Sequence, residues 1–318
     1  MNLRFTDSDF LWQPAWVAIA VCALMLAGCS TTPPMPVVSA GKVERLGPMP
    51  SRYVEPRLVD VWLPEGYSPE KRYAVLYVHD GQALFDGATS MSKQGWRIDT
   101  AMTTLLKKGR IRDTLVVGIW NTNDARHAEY FPQKVVPLIA EPQRTTFVQF
   151  ALQGQPRADN YLKFLVEELK PLIDAGYATR SDAANTFIMG SSMGGIISLY
   201  AISEYPRIFG AVACMSTHWI GSFEANTAIP LATLQYLQDH MPDAGTHRIY
   251  MDRGSTGLDA MYSVHQSLAN VLLHEKGYTD TNFQTLVFEG AGHSETDWSQ
   301  RLDKPLSFLL NVSPPAKP

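Results

Sequence analysis

Cysteine is scarce: Cys22, Cys29 and Cys214 are the only three in 318 residues. So few argue against a small scaffold stapled by disulfides. No Cys/His cluster with metal-ligand spacing is apparent, so no metal is expected. Charge of one sign is not in excess either. The formal net charge is −4 with 18% charged residues, and no basic footprint points to nucleic acid. Internal repeats and long charge runs are missing. The apolar run over 16–27 is too short to span a membrane comfortably. What is present is a globular composition, 45% hydrophobic, long enough for one large domain or two.

The 16–27 run follows Arg4 and ends in Leu26-Ala27-Gly28-Cys29. That tetrapeptide resembles the lipobox of bacterial lipoproteins. The resemblance implies a signal peptide over 1–28, cleavage before Cys29, and a lipid on Cys29 as the attachment to the membrane. Ser30 is, by the same resemblance, compatible with sorting to the outer membrane. The expected location is the bacterial cell envelope, facing the periplasm. A plain membrane anchor or an ordinary secretory signal are the alternatives, and Asp7 and Asp9 make the leading segment unusually acidic. Cys214 then remains alone, in the apolar run GAVACM, and reads as a small core residue. Residues 29–52, rich in proline and small residues, read as a flexible tether. The fold is expected from about Tyr53 to residue 311, with 312–318 a loose tail.

Along that stretch, short apolar runs alternate with helical patterns. Strands are expected over 57–63, 73–78, 115–120, 185–189, 210–215, 248–251 and 283–288. Helices are expected over 97–108, 161–175, 195–204, 233–240, 258–276 and 298–310. Pro171 should bend the 161–175 helix, because it lacks an N–H and crowds the preceding turn. From Tyr73 on, the strands are apolar throughout. The pattern predicts an α/β fold: a mostly parallel sheet with helices on both faces. Residues 121–159 are too long for a simple connection and read as a cap-like insertion.

The chain is organised around Gly190-Ser191-Ser192-Met193-Gly194, a G-x-S-x-G turn between a strand and a helix. Such a turn holds the middle serine in a strained conformation, clear of the strand end. Small neighbours let strand and helix approach. The Met193 N–H, opening the helix, points where a carbonyl oxygen would become negative. A serine hydroxyl needs a base, and the base needs an orienting acid. Of eight histidines, His293 is the candidate, on a glycine-rich turn after the last strand. His79 reads as support for the oxyanion loop, and His218 as a pocket-lining residue. For the acid, Asp252 and Asp259 compete. Asp252 lies at the strand end. Asp259 lies beyond the turn at 254–257 and can reach back to His293, which favours it. The second oxyanion donor is expected after the 73–78 strand, at the Gln82 N–H.

Taken in order, HDGQALFD at 79–86, RHAEYFP at 126–132, GSSMGG at 190–195, MDRGSTGLDAMY at 251–262 and GAGHSETDW at 290–298 resemble the esterase family of α/β-hydrolases. That family includes esterase D, enterochelin-esterase-like, and feruloyl or acetylxylan esterase proteins. The resemblance covers about residues 55–310 and implies the α/β-hydrolase fold. It implies Ser192 as nucleophile, His293 as base, an acid in 252–259, and backbone donors at Gln82 and Met193. It also implies neither metal nor organic cofactor. Arg126 and Glu129 either bind substrate or pair to fix their loop, and pairing is favoured. Trp96, Trp120, Trp219 and Trp298 can present flat surfaces to a sugar or aromatic acyl group, although buried packing is the default for each. The expected activity is a serine carboxylesterase acting on a small-molecule or glycan ester, such as a siderophore or polysaccharide ester. The alternatives are acyl transfer by the same machinery and a non-catalytic binding lipoprotein.

Overall fold

The computed structural model describes residues 33–311. The expected signal segment over 1–28, the expected lipid attachment at Cys29 and the expected 312–318 tail lie outside these residues. Among the described residues, eight strands run through the chain as β1 (Lys42–Met49), β2 (Arg57–Leu63), β3 (Ala74–His79), β4 (Thr114–Ile119), β5 (Thr186–Ser191), β6 (Ala211–Met215), β7 (Arg248–Gly254) and β8 (Phe283–Phe288). They form one sheet in the order β1-β2-β4-β3-β5-β6-β7-β8. β2 is antiparallel to both β1 and β4, and the pairings from β4 across to β8 are parallel.

The helices are α1 (Ile98–Lys107), α2 (Arg126–Tyr130), α3 (Gln143–Phe150), α4 (Ala158–Lys163), α5 (Lys170–Gly176), α6 (Met193–Glu204), α7 (Ala228–His240), α8 (Ser263–Glu275), α9 (Glu295–Arg301) and α10 (Asp303–Leu310). Strand side chains alternate between two cores. Val75 and Tyr77 join one apolar cluster, whereas Ala74, Leu76 and Val78 join the other. Helices cover both faces, as a sheet buried on both sides requires. Because β3, β5, β7 and β8 are parallel, the turns that follow them open at the same edge. That is where an open α/β sheet carries its working residues.

The tether expectation is corrected. β1 begins at Lys42 and pairs along β2, Lys42 opposite Leu63 through Met49 opposite Arg57. Even before it, the Val37 N–H donates to the Asp86 carboxylate at 2.8 Å. The backbone and hydroxyl of Ser39 both reach Asp99 at 2.6 Å. The proline-rich composition hid an edge strand. Lys42 and Glu44 keep its exposed side charged, a usual device for edges, while Arg45 turns inward to Asp60 of β2 at 2.7 Å.

The 121–159 stretch, expected as a cap-like insertion, carries α2, α3 and short 3₁₀ turns. The segment 158–176 is one helix interrupted by a π-helical turn over Phe164–Leu169. Pro171 supplies the reason. Its missing N–H and its ring clash with the preceding turn, and a wider turn accommodates both. No helix among the described residues is long and apolar enough to cross a membrane.

Candidate active site

Ser192 sits between β5 and α6 with φ 56° and ψ −121°, a region that side-chain-bearing residues rarely occupy. Backbone hydrogen bonds hold it there. Its N–H donates to the Met215 carbonyl at 2.9 Å, and its own carbonyl accepts from Gly195 at 3.0 Å and His218 at 3.1 Å. A side chain at Gly190 would place its Cβ 2.5 Å from the Gly194 backbone. The glycines of the turn therefore buy the close approach of strand and helix.

His293, on the turn after β8, places Nε2 2.8 Å from Ser192 Oγ. Its Nδ1 lies 2.6 Å from Asp259 Oδ1. Asp259 is fully buried, on a short 3₁₀ segment, Gly257–Tyr262, between β7 and α8. Burial alone would push its carboxyl up. Hydrogen bonds from His293, Ser216 and the Gly254 N–H outweigh that and hold it below the ordinary carboxylate range. Asp252 is also buried, but it faces elsewhere: it accepts from Tyr250 at 2.9 Å and Arg301 at 3.0 Å. Burial pushes its carboxyl up. The structure thus brings Asp259, not Asp252, to His293.

Met193 is the first residue of α6, so its N–H has no intrahelical acceptor. Gln82 lies in a short turn closed by the Ala83 N–H on the Asp80 carbonyl at 2.9 Å, which leaves the Gln82 N–H ahead of that bond. A Cβ at Gly81 would meet the Gly118 backbone at 2.6 Å, so only glycine brings this turn so close to β4. The side-chain carbonyl of Gln82 accepts from the Asn121 N–H, and its backbone carbonyl accepts from the Thr89 hydroxyl.

Arg126 and Glu129 do not pair with each other, which corrects that expectation. Arg126 grips Asp80 through two bonds of 2.8 and 2.7 Å. Asp80, at φ 59°, leads directly into the Gln82 turn. Burial would raise the Asp80 carboxyl, but the Arg126 charge and hydrogen bonds bring it below its ordinary value. Glu129, buried, takes a bidentate bond from buried Arg57 at 2.9 and 2.7 Å. The two acids lie on different elements, and each has its own arginine. Arg126 therefore braces Asp80 at the start of the Gln82 turn.

His79 is fully buried beneath this turn, with Nδ1 2.8 Å from the Tyr161 hydroxyl. Burial lowers its pKa to about 3, so it is neutral. His218 Nδ1 lies 2.6 Å from the Tyr262 hydroxyl. Burial, with His127, His293 and Arg126 nearby, lowers it to about 3 as well. The His218 ring stands beside His127 and the exposed ring of Phe223. Trp219 is corrected as a substrate surface: it is fully buried in the core. Trp96 and Trp298 are buried too, and Trp298 packs edge-on against His293. Ser216 and Arg301, which the sequence did not single out, stand behind Asp259. Their partners are far away in the chain, so no local pattern marks them. Among the described residues, no group of three or more His, Cys, Asp or Glu side chains is arranged to hold a metal ion.

A family model described as "Putative esterase" matches residues 52–309. Among curated proteins, the chain is similar to uncharacterized protein YbbA of Bacillus subtilis (strain 168). The two are 25% identical over 265 residues, 80% of this chain and 92% of that one. It is 29% identical over 257 residues to an endo-1,4-beta-xylanase/feruloyl esterase of Xylanibacter ruminicola, covering 79% of this chain and only 29% of that larger enzyme. Among solved structures, an enterobactin esterase from Shigella flexneri superposes with a TM-score of 0.62 at 19% identity, over 86% of this chain and 60% of that one. A ferulic acid esterase superposes with a TM-score of 0.61 at 19% identity, over 85% of this chain and 98% of that one. At these identities the superpositions establish the α/β-hydrolase fold.

Proposed function

The chain belongs to the family described as "Putative esterase" and is a carboxylic ester hydrolase, and from that premise we propose that it cleaves its ester through Ser192, His293 and Asp259. The observation that carries this reading is the unbroken chain of contacts, Asp259 to His293 at 2.6 Å and His293 to Ser192 Oγ at 2.8 Å. His293 Nε2 takes the serine proton as Oγ attacks the ester carbonyl. Asp259 holds the other imidazole nitrogen and stabilises the cation that forms. The N–H groups of Met193 and Gln82 receive the developing oxyanion, each worth about 3 kcal/mol of barrier. The alcohol leaves with the proton from His293. Water, activated by the same base, then releases the acyl group.

The test is an active-site-directed fluorophosphonate. One adduct per chain is expected, on the Ser192 peptide, and none in Ser192→Ala. An adduct on any other serine overturns the assignment.

For the substrate, we propose a small-molecule or glycan ester of the cell envelope, such as a siderophore or polysaccharide ester. The exposed Phe223 ring over His218 supports a flat group on the substrate. For location, we propose a lipid on Cys29 and an outer-membrane, periplasm-facing anchor. Cys29→Ser should abolish acyl labelling and move the protein out of the membrane fraction. Unchanged partitioning would refute the anchor.

A further inference from the structure

Ser216 is the residue behind the acid, and its hydroxyl is surrounded in an unusual way. It follows β6 with φ 44°, a strained value for serine. Its Oγ lies 2.5 Å from Asp259 Oδ2. The same oxygen accepts the Trp298 indole N–H at 2.9 Å and an Arg301 guanidinium N–H at 2.8 Å. A hydroxyl has one proton and two lone pairs. Indole and guanidinium can only donate, so both lone pairs are taken. The single proton is left with one direction, toward Asp259. Trp298 and Arg301 thereby force Ser216 to be a donor.

We propose that Ser216 is a positioning residue for the hydrolysis, held as an obligate donor so that Asp259 stays charged and keeps one oxygen free for His293. The inference rests on the proposed roles of Ser192, His293 and Asp259. Asp259 Oδ2 is occupied twice, by Ser216 and by the Gly254 N–H at 2.6 Å. Oδ1 is then the oxygen that faces the imidazole. Arg301 reinforces the arrangement. It spans Asp252 at 3.0 Å and stands 3.9 Å from Asp259 Oδ2, while its guanidinium lies over the Phe288 ring. Trp298 ties the network to the base, since its ring packs edge-on against His293 at 5.0 Å between centroids. The hydroxyl thus connects the turn after β6, the acid turn after β7 and helix α9. The strain at Ser216 resembles that at Ser192: a side chain is held in a glycine-like conformation because its oxygen is needed there.

The direction of the effect follows from the charge on Asp259. A donor on Oδ2 lowers the basicity of the carboxylate and keeps Oδ1 turned toward the imidazole. Without it the carboxylate is more basic, and His293 keeps its proton to higher pH. The titratable groups around this carboxylate are His293, Arg301 from α9, Asp252 and Tyr250 from β7, Tyr262 from its own turn, and His218 beyond it. For that reason the readout is His293 itself, titrated by NMR with labelled histidine, rather than the rate profile alone.

Three variants decide the question: Ser216→Ala, Ser216→Gly and, alongside them, Ser192→Ala, assayed on p-nitrophenyl acetate. Glycine suits φ 44° and keeps the backbone relaxed should alanine disturb folding. Both Ser216 variants are expected to lower kcat about tenfold, the effect of losing a hydrogen bond to a charged group. KM should stay within about twofold, as for an interaction that acts in the transition state. The His293 titration should move to higher pH. Unchanged kcat in both, with Ser192→Ala inactive, overturns the role of Ser216 alone. A lower kcat with an unmoved His293 titration also overturns it, since the hydroxyl would then be structural only. Full activity in Ser192→Ala removes the catalytic reading on which the proposal stands.

Discussion

Ser192→Ala is expected to lower kcat for p-nitrophenyl butyrate by about 10⁵-fold, with the fold intact by circular dichroism. The size follows from what remains. Without Oγ there is no acyl-enzyme, and His293 has no proton to accept from a nucleophile. The proposed oxyanion donors at Met193 and Gln82 stay in place and leave a small residual rate over water. Alanine does not relieve the backbone at position 192, because the strain at φ 56° comes from any Cβ. Glycine does relieve it. Ser192→Gly is therefore expected to be equally inactive and about 1 kcal/mol more stable in urea unfolding than Ser192→Ala. Hydrolysis at the wild-type rate in either variant would refute Ser192 as the nucleophile.

Asp259→Asn should lower kcat about 10⁴-fold, with KM little changed. The geometry fixes which way the new amide turns. Two donors, the Ser216 hydroxyl and the Gly254 N–H, point at the Oδ2 position. The amide oxygen must sit there, so the NH₂ group faces His293. An NH₂ donor forces Nδ1 to accept, which moves the imidazole proton to Nε2. That proton then points at Ser192 Oγ, and the base is lost. Asp252→Asn is the comparison, because Asp252 touches Arg301 and Tyr250 but not His293. Its kcat should fall less than about tenfold, the scale of a lost hydrogen bond, and its main effect should be on stability. Equal losses in the two variants would refute Asp259 as the orienting acid.

Much of this arrangement was legible in the chain because it is local. β3, β4, β5 and β6 are short, mostly apolar runs bounded by turn residues, and such runs favour burial on both faces. Glycines at 190 and 194 mark a strand and a helix that approach closely. The turns carrying Gln82, Ser192, Asp259 and His293 each follow a strand, and a parallel sheet collects such turns at one edge. β1 was hidden because an edge strand needs only one partner and few apolar residues. Its proline- and glycine-rich surroundings resemble those of a linker.

By itself the sequence determined the alternation of strands and helices, the strained turn at Ser192 and the short set of acids and bases able to serve it. Periodicity and turn chemistry act over a few residues, so they can be read there. The tertiary structure alone decided that Asp259 rather than Asp252 meets His293, that Arg126 holds Asp80 while Glu129 holds Arg57, that Trp219 is core, and that Ser216 is locked by Trp298 and Arg301. Those contacts join residues 34 to 101 positions apart. Their partners are chosen by sheet order and by the need of each buried charge or donor for a match in a low-dielectric interior.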